Sequence, residues 1–194
     1  DAIARWQRGG DVATVPPPRP MPQTGYYHPD APGVFASAAE YLDWQRARGA
    51  GDGGAARVAV LVSSGSVSSM QTAVLDALVA RGAAHGVEAF GLWFDDDDPD
   101  ALAHALAGLP VTAIVNFSHL QNGSARAREF LALDVPVLQA LNHRQSDPEG
   151  WRRATSGISP PLVATFLAVP EGWGASDPMV LGAVERGEAV AIPE

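Results

Sequence analysis

Between residues 57 and 169 short apolar runs alternate with amphipathic stretches, and this alternation restricts the fold more than any other feature of the chain. Val58-Ala59-Val60-Leu61-Val62 is an unbroken apolar run, the pattern of a strand buried on both faces. Residues 67–81 then place Val67, Met70, Val74, Leu75, Leu78 and Val79 at helical spacing, with Gly82 expected as a left-handed cap. A second strand is predicted over 89–94. Asp98 is expected to cap the next helix with Pro99 at its first position and Leu102, Leu106 and Leu109 on its buried face. A third strand is predicted over 111–117, a helix over 125–133 and a fourth strand over 135–141. Asp147-Pro148 opens a short helix through Arg153, and Ser159-Pro160-Pro161 opens another that runs into Leu167-Ala168-Val169. Strands separated by helices dictate parallel pairing with right-handed crossovers. The expected fold is therefore α/β, a flavodoxin-like or Rossmann-like parallel sheet flanked by helices.

Ahead of this unit lies different material. Residues 1–8 read as the end of a helix. Residues 9–22 form a Pro/Gly connector centred on Pro16-Pro17-Pro18, which favours an extended path. A rigid turn over 25–32 leads into a short helix over 36–48, with Phe35, Ala39, Leu42, Tyr41 and Trp44 on one side. The run 49–54, rich in glycine, ends that helix as a joint. The organisation expected is an arm with a helix over 1–56, an α/β domain over 57–170, and a segment over 171–194 leading into a following domain. The start without Met or leader, and the end at Pro193-Glu194, read as an internal piece of a longer protein.

A net charge of −9 argues against nucleic acid or an anionic membrane as partner, and no apolar run is long enough for a membrane span. All 13 basic residues are Arg, so no Schiff-base or P-loop lysine exists. The absence of Cys removes disulfides and thiolate chemistry and agrees with a cytoplasmic setting.

Ligands in such a sheet sit at the carboxyl ends of the strands, so the strand-exit loops come first. After strand one, Ser63-Ser64-Gly65-Ser66 has two readings, a helix cap or an anion cradle. It is neither a Walker A loop nor a G-x-G-x-x-G fingerprint. After strand two, Asp95-Asp96-Asp97-Asp98 is a solvated turn with a cap, or a hard-cation site. After strand three, Ser118 and His119 are candidate ligand-binding residues, His119 also as proton carrier or metal ligand. Gly123 is expected to satisfy a backbone requirement at the turn that follows. His28, between Tyr27 and Pro29, either fixes its turn or faces a ligand. His85, His104 and His143 are scattered, without metal-ligand spacing.

Two stretches carry a resemblance. Thr24-Gly25-Tyr26-Tyr27-His28-Pro29-Asp30-Ala31-Pro32, followed by Tyr41-Leu42-Asp43-Trp44, resembles a segment of the large subunits of the cobaltochelatase and magnesium chelatase family. Ala168-Val169-Pro170-Glu171-Gly172-Trp173, with Asp177-Pro178-Met179-Val180, resembles a second segment of that family. Between them, residues 116–125 look like a shortened family loop, and Trp151 and Ser159-Pro160 fall at family positions. The resemblance implies a tetrapyrrole-binding subunit of an ATP-dependent chelatase. The cobalt type inserts Co2+ into a corrin-type ring, hydrogenobyrinic acid a,c-diamide, in cobalamin biosynthesis. The magnesium type inserts Mg2+ into protoporphyrin IX.

It also implies that ATP is used by separate AAA+ partner subunits and is not bound here, and that the rest of the large subunit is a partner. Glu171 takes the position of a family carboxylate and is the expected catalytic residue, as proton acceptor or transient metal ligand. At the end of an apolar run its pKa would be raised and a strand-exit cleft would lie beside it. Trp173 stands where the family usually has Asp. The competing class is a non-catalytic flavodoxin-like binding module. A phosphatase or kinase using the serine loop lacks a partnering base or lysine.

Overall fold

Each apolar run of the expected core becomes a strand, and all point the same way. The computed structural model describes residues 2–10, 20–49, 56–185 and 187–192. Its elements, in chain order, begin with α1 (Ala2–Gln7), β1 (Gly25–Tyr27) and α2 (Ala38–Ala47). The alternating part follows as β2 (Ala56–Leu61), α3 (Ser64–Ser68), α4 (Ala73–Ala84), β3 (Val87–Trp93), α5 (Ala101–Leu106), β4 (Ala113–Asn116), α6 (Gly123–Leu133) and β5 (Val137–His143). After α7 (Pro148–Arg153), a crossover runs through α8 (Pro160–Val163), a π-helical turn (Ala164–Ala168) and α9 (Val169–Glu171). The chain then forms β6 (Ala175–Glu185) and β7 (Glu188–Ala191).

The sheet order is β1-β3-β2-β4-β5-β6-β7. Its five inner strands are mutually parallel, and β1 and β7 close the two edges antiparallel. Counting only the parallel strands in chain order gives 2-1-3-4-5, the flavodoxin-like order. The sheet takes in more chain than residues 57–170: β1 joins from the arm, and β6 and β7 lie beyond residue 170.

Two-sided burial explains the unbroken apolar runs. Ala59, Leu61, Phe90, Leu92 and Ile114 face one core, with Leu102 of α5 and Phe130 of α6. Their neighbours Val60, Val62, Ala89, Trp93 and Val115 face the other, with Leu75 and Val79 of α4. The period of two along each strand thus feeds two cores.

The arm is locked to the first core by aromatic residues. Ser37 caps α2 by accepting from the Glu40 amide at 3.2 Å, while Glu40 Oε2 accepts from the Ala36 amide at 2.9 Å, a reciprocal cap. This holds Tyr41 at 0% exposure, its ring 4.9 Å from Phe90. The Tyr26 hydroxyl donates to the Ala105 carbonyl at 2.6 Å, and burial pushes its pKa up to about 12. A side chain on Gly25 would overlap the Trp93 indole, so this glycine is required by close approach.

Three local expectations change. The helix expected over 67–81 is broken into α3 and α4. The Ser68 and Ser69 hydroxyls donate back to the Gly65 carbonyl at 3.2 and 2.7 Å, and Met70 turns left-handed (φ 58°). Gly82 lies inside α4, where a Cβ would crowd the Val87 carbonyl; the left-handed residue is Gly86 (φ 73°). Asp98 accepts from the Asp100 amide at 3.0 Å in a turn, and α5 starts at Ala101 after Asp100, two residues later than expected. Strand β6 is irregular: its register against β5 shifts between Leu138 and Ala140, Asp177 is left-handed (φ 47°), and Pro178 follows. The Pro16-Pro17-Pro18 connector and most of the 49–54 joint lie outside the described residues.

Candidate functional site

In a 2-1-3-4-5 order the chain leaves β2 and β4 toward opposite sides, which opens a crevice between their carboxyl ends. A cavity of about 560 Å³ lies there, a size suited to a small molecule. Val62 after β2, Phe117 after β4, and Leu141 and Asn142 of β5 form its floor. Ser66, Gln71 and Thr72 supply one wall, and Ser159, Leu162 and Phe166 of the crossover supply the opposite one.

The structure brings Ser118 and His119 into this cavity, as expected from their place after a strand. Their loop is anchored by a buried amide pair. Asn116, at 0% exposure, donates from Nδ2 to Gln139 Oε1 at 2.8 Å and accepts from the Ser118 amide at 3.3 Å. The His119 ring is exposed at the mouth, 5.4 Å from the ring of Phe166 and 3.4 Å from Gln121 Nε2.

Two further polar residues were missed. Strand β5 runs on to His143, two residues past the expected end, and so delivers Asn142 and His143 to the same cavity. His143 is buried, its Nε2 2.9 Å from the Ser146 hydroxyl and its ring 4.8 Å from Trp151. Asn142 Oδ1 is buried without a hydrogen-bond partner, pressed against Gly182. The available signal was the run Leu141-Asn142-His143 itself, polar groups at the carboxyl end of a parallel strand.

His28 and Glu171 do not join this cavity. His28 is nearly covered, its ring 4.9 Å from Trp44, and its Nδ1 accepts from the Asp30 amide at 3.2 Å. Burial holds its pKa below the ordinary imidazole value. Asp30 in turn pairs with Arg48 at 2.6 Å. Glu171 was expected beside a strand exit. It instead ends α9, exposed, at the side of the sheet where β6 begins, opposite the carboxyl-end cavity. A shallow apolar groove of about 510 Å³ lies on that side, lined by Phe130, Val135, Pro136 and Trp173 among others. Trp173 lies so closely on Gly123 that any Cβ there would overlap the indole. The left-handed residue of that turn is Asn122 (φ 55°), so Gly123 is required by packing rather than by backbone conformation.

The remaining candidates resolve into local structure. Ser63 accepts from the Ser66 amide at 3.1 Å and caps α3. Asp95 accepts from the Asp97 amide at 3.1 Å. Asp96 faces Arg126, whose guanidinium is fully buried, 2.9 Å from Glu129 and 4.9 Å above the Phe94 ring. Burial raises the pKa of both Asp96 and Glu129, against the pull of Arg126. Among the described residues no group of three or more His, Asp or Glu is placed to hold a metal ion. No described helix is long and apolar enough to cross a membrane.

The profile of the family described as CobN/Magnesium Chelatase matches residues 2–193. Among curated proteins, the chain is similar to the magnesium-chelatase H subunit of Chlorobaculum parvum, 26% identical over 188 residues, covering 90% of this chain and 14% of that protein. The chloroplastic magnesium-chelatase ChlH subunit of Oryza sativa subsp. indica is 30% identical over 175 residues, covering 80% and 13%. The catalytic subunit of cobaltochelatase from Mycobacterium tuberculosis shares the fold, with TM-score 0.64 at 20% identity over 92% of this chain and 15% of that chain. The chain therefore spans only about 14% of the length of its curated relatives.

Proposed function

We propose, for a chain that belongs to the CobN/magnesium chelatase family, that it is one unit of the large, tetrapyrrole-binding subunit of an ATP-dependent metal chelatase. The observation that carries this reading is the family match from residue 2 to residue 193. Support for the placement of the ligand comes from the carboxyl-end cavity, where Ser118 and His119 converge. Insertion of a divalent ion releases two protons from the pyrrolic nitrogens and strips water from the metal, so a proton acceptor near the ring is required. In this proposal Ser118 orients the macrocycle, and His119, exposed at the mouth, carries protons or meets the incoming metal.

Glu171, at the other end of the sheet beside the Trp173 groove, is proposed to take up protons or metal on the path between this unit and the rest of the subunit, without touching a ring held in the carboxyl-end cavity. The metal is proposed to be Co2+ and the ring a corrin type, made in the cytoplasm for cobalamin. Mg2+ and protoporphyrin IX form the second reading, favoured by the names of the curated relatives. ATP hydrolysis is assigned to AAA+ partner subunits, in keeping with a chain that has no lysine and no phosphate-binding loop motif.

The test is an absorbance titration of the chain with a porphyrin and a corrin. The expected result is a saturable shift of the tetrapyrrole bands, weakened about tenfold in the Ser118→Ala/His119→Ala double variant by the loss of two polar contacts. A titration without any shift would sink the assignment of the cavity. Binding without insertion by the complete subunit and its partners would favour the non-catalytic carrier.

A further inference from the structure

The chain is acidic, with 22 Asp and Glu against 13 Arg. The carboxyl-end cavity departs from that balance: among the described residues that line it there is no carboxylate. The charged or chargeable groups there are Arg144, His119 and His143. Asp76 approaches the same region, but its carboxylate accepts from the Tyr27 and Thr72 hydroxyls, each at 2.9 Å, and does not line the cavity.

Arg144 differs from several other arginines of the chain. Arg46, Arg48, Arg57, Arg126 and Arg153 each pair with a carboxylate. Arg144 has no carboxylate partner among the described residues, although it is exposed in a protein rich in acids. It directly follows His143, at the carboxyl end of β5, on the rim of the cavity. Asn142 also lines the cavity, its Oδ1 buried against Gly182 without a hydrogen-bond partner. Behind these groups the floor is apolar, with Val62, Phe117 and Leu141. The lining thus offers one cation, Arg144, and polar groups at the rim and hydrocarbon beneath.

We infer that this cavity selects an amphiphilic ligand by a carboxylate, and that Arg144 is the residue that decides the selection. The inference rests on the macrocycle reading above and deepens it. The group held is a peripheral carboxylate of the tetrapyrrole, so the ring is oriented by its edge rather than by its metal. A planar guanidinium suits this task because it can give two parallel hydrogen bonds to one carboxylate.

The experiment compares a porphyrin dicarboxylic acid with its neutral bis-amide, titrated by absorbance into the wild-type chain, Arg144→Gln and Arg144→Lys. A charge-assisted contact predicts about tenfold tighter binding of the acid by the wild type, a preference abolished in Arg144→Gln. Arg144→Lys keeps the charge and recovers part of the preference, whereas affinity for the amide stays constant across all three. Equal affinity of the wild type for acid and amide overturns the carboxylate inference and leaves the macrocycle reading standing. An acid preference that survives in Arg144→Gln overturns the assignment to Arg144. No binding of either compound overturns both inference and reading.

Discussion

Arg126 offers a sharp test of the reasoning about buried charge. Its side chain is fully buried, donates to the Asp98 carbonyl at 2.9 Å and pairs with Glu129, itself 5% exposed, at 2.9 Å. Truncation to Ala strands Glu129 and Asp96 without a counter-charge. Breaking a buried pair from one side costs about 3–5 kcal/mol, and loss of the contact over Phe94 adds about 0.5–1 kcal/mol. Arg126→Ala should therefore lose about 4 kcal/mol in urea unfolding at neutral pH, followed by tryptophan fluorescence.

The pH dependence separates this cause from a simple cavity. Both carboxyl pKa values already lie above their ordinary range because of burial. A folded value above the unfolded one favours folding below the unfolded value, about 4.3 for Glu, and that contribution is lost as pH rises through the folded value. Removal of Arg126 raises both carboxyls further, so the loss is largest at neutral pH and shrinks toward about pH 5. The double variant Arg126→Met/Glu129→Gln removes both charges and keeps an acceptor for the Ala103 amide, now bonded to Glu129 at 2.9 Å. It should recover most of the loss. A loss below about 1 kcal/mol, or one equal at both pH values, refutes the argument.

Two further outcomes follow from close packing and from the position of Glu171. Gly123→Ala drives a methyl into the Trp173 indole and should cost about 1–3 kcal/mol, a cost partly relieved when Trp173→Ala is added; strictly additive effects in urea unfolding would show that the contact carries no energy. In the complete chelatase, Glu171→Gln should slow metal insertion about 100-fold while tetrapyrrole affinity at the carboxyl-end cavity is unchanged; a wild-type insertion rate reduces Glu171 to an exposed surface residue.

The parallel core was legible because two-sided burial leaves an unbroken apolar run, and four such runs became β2 to β5 in the expected order. Strand β6 was not legible, because Ser176, Asp177 and Pro178 interrupt its apolar pattern where the strand is bent and exposed. The split between α3 and α4 was hidden for a related reason: Val67, Val74 and Leu75 keep a helical spacing across a break made by serine hydroxyls. At the site, Ser118 and His119 were found by position after a strand, a topological rule that needs no partner. Asn142 and His143 required the true end of β5, and strand ends are set by pairing with β6, which the apolar pattern did not reveal. Glu171 was set beside a strand exit although the helix opened by Pro160 and Pro161 was expected to reach Val169; a crossover helix returns the chain to the amino end of the next strand, and that strand, β6, was the element not foreseen.

The irregular half of β6 has a consequence for how this sheet meets other chains. Strand β7 covers β6 only from Gly182 to Glu185, so the stretch from Ala175 to about Val180 presents an outer backbone edge with no neighbouring strand among the described residues. An open parallel edge is a template on which a foreign strand, or another copy of the same strand, can grow. Here that edge carries Pro178, which has no amide hydrogen to give, and Asp177, whose left-handed backbone and charge interrupt a straight ladder. At the far side, β1 is only three residues long and the Tyr26–Phe35 bridge occupies its outer backbone. These features guard the uncovered half of β6 and the outer side of β1 against strand invasion.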